Sequence, residues 1–540
     1  MQSELRHGAW WDRVENVPAG DLMEGRFTRL FPDAKAASFA DTDLTTLAAA
    51  MTAAADIPPT PESVVDPEEN PGMASAFTYF GQFIDHDLTL DLTSHLREKL
   101  SRHQLQRLVD FRTPRFDLDS VYGRGPSEQP YLYQADGIQM QLGAPLSGNP
   151  HDPRSADLPR GPTGRALIGD PRDDENRIVA QLHGIMLRFH NAVAVAMPGA
   201  TFEDIRKSVR WHYQWVVIND FLPTIIQRPT VTDVFPHLEG GASIESAPPR
   251  FTITQLRHGL KLMPVEFSVA VYRFGHSTVR PLYRLNDTIT RRQIFSTAAD
   301  PAGDLGGFRP IPSDWAIDWQ FFIDLDHGLA PPPPTDANDP IVRRPQHAYK
   351  IDTSLVNPLG RLPPTVASNP SSLALRNLQR GVTFGLPSGQ TVARLLDVTP
   401  LDDDQLLIGK ATKREPLRPL SSLIPAMARN CPLWTYVLSE AHTTSWALDS
   451  GNPDKDTIPT RLGPVGGHIV AEVFAALLLG DPTSFLSEDP GFTPLPQFSY
   501  GSKFGLAELI TVALGCSRHV TEGSDPVNAA QAIDARRPQK

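Results

Sequence analysis

The chain has 540 residues, 40% apolar and 21% charged, with 50 Lys+Arg against 62 Asp+Glu for a formal charge of −12. Such a length buries one large core or a few ordinary domains, and the acidic balance argues against a nucleic-acid binder, which needs a basic face. The only cysteines, Cys431 and Cys516, exclude a disulfide framework and read as thiols packed like small apolar groups, so the fold does not depend on an oxidising compartment.

The N-terminal MQSELRHGAWWDRVENVPAG lacks an unbroken apolar run, so no secretory signal is visible. A first helix is predicted over 43–55. The next, around GQFIDHDLTLD at 81–91, carries chemistry. Gln82, Asp85 and His86 stand at i, i+3 and i+4 and share one face, whereas Asp87 lies about 100° further round and looks elsewhere, so two adjacent sites are expected. A metal-hydrolase site built from Asp85, His86 and Asp87 stays open, although three consecutive groups point in different directions and do not easily serve one ion.

Further helices are predicted over 97–111, 175–196 and 203–227, over 263–279 opening at Pro264, and over 433–448, 467–480 and 504–515. In the segment 175–196, Ile178, Leu182, Ile185, Met186 and Phe189 form one stripe. The apolar run at 469–480 is too short to span a bilayer and contains Glu472. Pro/Gly/Asp-rich connections lie at 57–73, 144–174 and 330–345, the last with PPPP at 331–334, and the 52 prolines agree with long, stiff loops. The expectation is a mainly α protein: a single large helical domain with long loops, little β structure and no transmembrane segment. It is soluble, and either cytoplasmic or exported without a conventional signal.

Three more segments carry functional groups. GDPRDDE at 169–175 places Arg172 and Glu175 three apart at a helix start, where Asp173, Asp174 and Glu175 read most simply as caps. YRFGHSTVRP at 272–281 has His276 directly after a glycine, and LRNLQRG at 375–381 puts Asn377 and Arg380 three apart. His183 and His190, seven apart on one helix, read as core or hydrogen-bonded groups, and His442 and His468 have no ligand pattern.

In order, GQFIDHD, TPRFDLDSVYG, GDPRDDE, YRFGHS and RNLQRG resemble the motifs of the animal-type haem peroxidases, the peroxidase–cyclooxygenase superfamily, in the style of its bacterial branch. The resemblance runs from EGRFTRLFP at 24–32 to GPVGGHIVAEV at 463–473. It implies an N-terminal extension at 1–23, a haem peroxidase domain at 24–520 and a tail at 521–540. It also implies an enzyme that reduces hydrogen peroxide and oxidises halides, pseudohalides or small phenols.

By the same resemblance His86 is the distal base, Arg172 the distal arginine and Gln82 the distal glutamine. His276 is the ligand of haem iron, Asn377 the partner of its far nitrogen, and Arg273 and Arg380 lie near the haem propionates. Asp85 and Glu175 match the positions that form ester bonds to a haem derived from haem b. Asn176 stands where some mammalian members carry a methionine link, which implies a lower potential suited to iodide, thiocyanate, bromide or phenols rather than chloride. Asp87 and the loop TPRFDLDS imply a Ca²⁺ site with Thr113, Arg115, Asp117 and Asp119, hard oxygens of the kind that ion takes. Elementary chemistry agrees with the main roles. Imidazole can take and return a proton near neutrality, and guanidinium keeps its charge where oxygen turns negative.

Two competing functions stay in view. A fatty-acid dioxygenase of the same superfamily uses a tyrosine three residues before the iron ligand; here that position is Arg273, and Tyr272, one step off, is expected to be turned away. A non-catalytic haem-fold binding module would not need His86, Arg172 and His276 together. Departures from the family pattern are the missing disulfides, Pro171 between Asp170 and Arg172, and the continuation of RNLQRG into GVTF.

Overall fold

The structure is a computed structural model. It describes residues 25–54, 66–90, 100–101, 104–105, 108–296, 303–325, 344–364, 366–367, 369–413 and 416–515. The proposed terminal extension and tail, the PPPP run, Cys516 and much of the segment 97–111 lie outside these residues.

The longer α-helices in chain order are α1 (Asp41–Ala50), α2 (Ser75–Leu88), α3 (Arg177–Ala196), α4 (Phe202–Val216), α5 (Leu373–Thr383), α6 (Leu433–Leu448), α7 (Pro464–Gly480) and α8 (Leu506–Leu514). Strands among the described residues form only two-stranded sheets, and the mainly α expectation holds. Local chemistry explains the helix ends. The Asn176 side chain accepts from the Ile178 and Val179 amides to open α3, and Thr201 and Asp204 make a reciprocal capping box at α4. The predicted stripe of α3 is buried throughout. In α7, Glu472 survives in an apolar run because it accepts from the Ile253 amide at 2.8 Å and meets His468 Nδ1 at 3.0 Å. No helix among the described residues is long and apolar enough to cross a membrane.

The irregular parts differ from expectation. The helix predicted from Pro264 does not begin there, because Met263–Pro264 pairs in parallel with Phe27–Thr28. Helical winding follows at Glu266, whose carboxylate accepts from the Leu30 amide at 2.9 Å. It is wide (π) over Glu266–Ala270 and tight (3₁₀) over Val271–Thr278. The predicted helix at 203–227 is likewise interrupted by a π turn at Val217–Phe221. Within 57–73, expected as loop, Glu69–Ala74 is a strand pairing with His347–Tyr349. The end of the predicted helix at 97–111 is extended, with Val109 bridging Arg26 and the Asp110 amide donating to the Gly25 carbonyl. Helix α2 packs against α3 and the 3₁₀ segment, and α6 backs that segment from outside. The residues with chemistry thus meet where α2, the turn before α3 and the 3₁₀ segment converge.

Candidate active site

These elements enclose a cavity of ≈ 350 Å³. Gln82, Asp85 and His86 reach it from α2, as their shared face predicts, and Arg172, Glu175 and Asn176 from the turn before α3. Arg273, Gly275 and His276 reach it from the 3₁₀ segment. Aliphatic side chains such as Leu359, Leu362 and Leu373 complete the wall.

His86 is buried, and its Nδ1 lies 2.7 Å from Asp173 Oδ1. The other oxygen of Asp173 meets His183 Nδ1 at 2.8 Å, so one buried carboxylate orients two imidazoles. His86 Nε2 sits 3.8 Å from Glu175 Oε1. Burial and Arg172 press the His86 pKa down, but Asp173 and Glu175 outweigh them and raise it above 6.5. Burial pushes the Glu175 carboxyl up against the pull of His86 and Arg172. Gln82 Nε2 donates to Glu175, and Asn176 Nδ2 donates to Gln82 Oε1 at 3.1 Å, which fixes the glutamine amide.

Arg172 keeps 22% of its side chain exposed to the cavity. Its Nη2 donates to the His86 carbonyl at 2.9 Å and to Asp170 Oδ2 at 2.8 Å. Asp170 also accepts from the Arg172 backbone amide at 2.8 Å. Despite burial, Arg172 and Arg112 hold Asp170 well below the usual carboxylate range.

His276 is half-buried, and burial together with Arg273 pushes its pKa down to about 3, leaving a neutral imidazole. Its Nδ1 lies 2.8 Å from Asn377 Nδ2, whereas Asn377 Oδ1 is buried without a hydrogen-bond partner. The amide nitrogen faces the ring here, and turning the amide over would satisfy Oδ1 once Nδ1 carries the proton. A Cβ added at Gly275 would meet no atom within 4 Å, so the backbone beside His276 borders open space. A flat cofactor ligated by a neutral His276 fits these features: an orphaned amide oxygen behind the ring, and a glycine that leaves room before it.

Arg273 lines the cavity, and on α5 so does Arg376; Arg380, one turn on, lies 6.0 Å from the centroid of the Phe384 ring. One expectation changes. Tyr272 is not turned away: it lines the cavity and its hydroxyl donates to the Gly81 carbonyl at 3.2 Å. The tight winding brings Tyr272 to the cavity alongside Arg273.

Asp87, on the far face of α2, meets Asp117 and Asp119, with one oxygen of each within 4.8 Å of the others. Both oxygens of Asp87 and one of Asp119 are buried without a partner. Burial and mutual repulsion raise the Asp87 carboxyl well above its ordinary range, and burial lifts Asp119 to about 8. Protons occupy such a site only until a cation displaces them, so the donor set fits a hard divalent ion. Thr113 joins through its hydroxyl, which donates to Asp117 Oδ2 at 2.7 Å, and its carbonyl accepts the Arg115 amide at 2.7 Å.

His190 bridges the Tyr122 hydroxyl and the Ile138 carbonyl, and His468 bonds Glu472, as hydrogen-bonded core groups do. His442 and Cys431 are buried in the core. Asp170, Asp173, Arg112 and Arg376 were not predicted. Only the position of Asp170 and Asp173 on either side of Arg172 hinted at two of them.

Residues 96–302 match the family model for animal haem peroxidase. That segment of the chain is similar to the animal haem peroxidases. Thyroid peroxidase of Rattus norvegicus is 25% identical over 421 residues, 70% of this chain and 38% of that protein. Thyroid peroxidase of Homo sapiens is 28% identical over 319 residues, 53% of this chain and 30% of that one. The chain therefore spans well under two thirds of these relatives. Among solved structures, peroxidase A from Dictyostelium discoideum superposes with a TM-score of 0.51 at 15% identity, over 87% of this chain and 89% of its own. The fatty acid alpha-dioxygenase of Oryza sativa, solved with palmitic acid, gives 0.51 at 13% identity, over 89% of this chain and 78% of its own. These two likenesses establish the fold. The family whose model matches residues 96–302 is one of haem proteins.

Proposed function

We propose that this chain is a haem peroxidase of the bacterial branch, with a catalytic domain at 24–520. It would consume hydrogen peroxide and oxidise iodide, thiocyanate, bromide or small phenols. The observation that carries the reading is one cavity lined by His86, tied to Asp173, with Arg172 beside it, and by a neutral His276. Haem, when bound through His276, would supply the redox iron. His86 Nε2 would accept a proton from peroxide and return it to the departing oxygen, with Asp173 holding the ring. Arg172, locked by Asp170, would stabilise negative charge on oxygen as the O–O bond breaks. Gln82, fixed by Glu175 and Asn176, would order water or a halide.

Asp85 and Glu175 both face the cavity and would supply the ester links. Asn176 is committed to capping α3 and to holding Gln82, and an amide cannot form a sulfonium bond. The carboxylate cluster of Asp87, Asp117 and Asp119, with Thr113 and the Arg115 carbonyl, would hold Ca²⁺ and clamp α2. The test is acid denaturation of the purified holoprotein, followed by halide assays. Haem that stays with the polypeptide, with bromide oxidised and chloride not, is expected. Equal chlorination and bromination at neutral pH contradicts the halide reading.

A second reading, a fatty-acid dioxygenase, gains from Tyr272 lining the cavity beside aliphatic side chains. Oxygen uptake with palmitate, abolished in Tyr272→Phe, would favour it over peroxidase. Peroxide-dependent guaiacol oxidation would exclude the non-catalytic module.

A further inference from the structure

Between the carboxylate cluster and Arg172 lies a guanidinium that belongs to neither. Arg112 is fully buried. Its Nη1 donates to Asp119 Oδ1 at 3.2 Å, and its Nε donates to Asp170 Oδ2 at 2.8 Å. Asp170 in turn holds Arg172 through backbone and side chain. An unbroken run of charge-assisted contacts thus leads from the cluster to the cavity: Asp119, Arg112, Asp170, Arg172. We propose that Arg112 is a positioning residue that couples cation occupancy of the Asp87–Asp117–Asp119 cluster to the placement of Arg172. The proposal deepens the peroxidase reading and rests on it for the role of Arg172.

The physical argument concerns where one cation is pulled. Arg112 is shared by two carboxylates in a buried, weakly screened setting. With the cluster empty of metal, the partnerless oxygens of Asp87 and Asp119 draw the guanidinium toward them. A divalent ion takes up that negative charge and repels Arg112, which then commits to Asp170. A better-held Asp170 holds Arg172 more tightly. Such coupling is a difference in free energy between two arrangements and must act in both directions.

The same ion has a second route to the cavity, because Asp87 and His86 are adjacent on α2. Both routes reach the turn at 169–176, because Arg172 Nη2 also donates to the His86 carbonyl at 2.9 Å. Arg112→Gln cuts the route through Asp170 and leaves the one through α2 intact.

Hydrogen exchange read by mass spectrometry on the holoprotein, with calcium added or chelated, tests this without any peroxide. In the wild type, calcium is expected to slow exchange about tenfold in both 82–90 and 169–176. In Arg112→Gln, the effect is expected to persist at 82–90 and to fall well below its wild-type size at 169–176. Calcium affinity, measured by titration calorimetry, is expected to stay equal or rise, because a positive charge has left the neighbourhood of Asp119. A merely structural loss would weaken it. Arg112→Lys, whose single ammonium serves one carboxylate at a time, is expected to keep less than half of the effect at 169–176, and it covers the case in which the glutamine variant does not fold. Calcium protection at 169–176 that is absent from the wild type, or that keeps its full wild-type size in both Arg112 variants, overturns the proposal, as does a protein that binds no calcium. Failure of the peroxidase reading would show instead in the guaiacol and bromide assays.

Discussion

His86 and His276 are the same side chain set against one cavity, and their surroundings drive them in opposite directions. His86 sits between two carboxylates, Asp173 and Glu175, which lift its pKa above 6.5 in spite of burial. His276 has an uncharged amide at its Nδ1, and burial, helped by the Arg273 guanidinium, pushes it down to about 3. Carboxylate neighbours let a buried imidazole carry a proton, whereas burial beside a cation leaves it neutral. The difference lies in the residues behind each ring, contributed by other parts of the chain.

The comparison can be broken most severely at His276, the proposed ligand. His276→Gln should leave the purified protein with almost no Soret absorbance, while His86→Gln keeps the wild-type haem content; equal loss in both would erase the distinction. Next in size, His86→Gln should lower the second-order rate with peroxide by about 10²- to 10⁴-fold, the usual worth of a placed general base. Stopped-flow mixing measures it, and a change of less than about threefold would remove His86 from the proton path.

Asp173→Asn sharpens the contrast further. A base must be neutral to accept a proton, so the wild-type rate should fall as pH drops through the raised pKa of His86, above 6.5. Removing the charge of Asp173 lets burial and Arg172 prevail, so the acidic limb should move to lower pH, with about a tenfold loss on the plateau from poorer ring orientation. A limb that stays in place, or moves up, contradicts the role given to Asp173. The smallest effect is expected for Tyr272→Phe, which should keep the peroxide rate within about twofold if the tyrosine only braces α2 through Gly81. A large loss in oxygen uptake with a fatty acid would instead point to the dioxygenase reading.

Much of this site could be read along the chain. The i, i+3, i+4 spacing of Gln82, Asp85 and His86 put them on one cavity face, and the offset of Asp87 sent it to a separate carboxylate cluster. The apolar stripe of α3 and the bounds of α6 were legible for the same reason: helical periodicity is a local property of the backbone. An expectation slipped where winding departs from 3.6 residues per turn, as at Tyr272. The strand at Glu69–Ala74 was missed because its pairing partner lies far away in the chain.

The sequence alone determined which groups could share a face and which segments could be helical, because neighbours a few residues apart are related by backbone geometry. Only tertiary structure decided what stands behind each group. Asp173 meets His86 across 87 positions, Asn377 meets His276 across 101, and Arg112 meets Asp170 across 58. The protonation of a buried side chain depends on charges a few ångströms away in space, whatever their separation along the chain, and no local pattern records them.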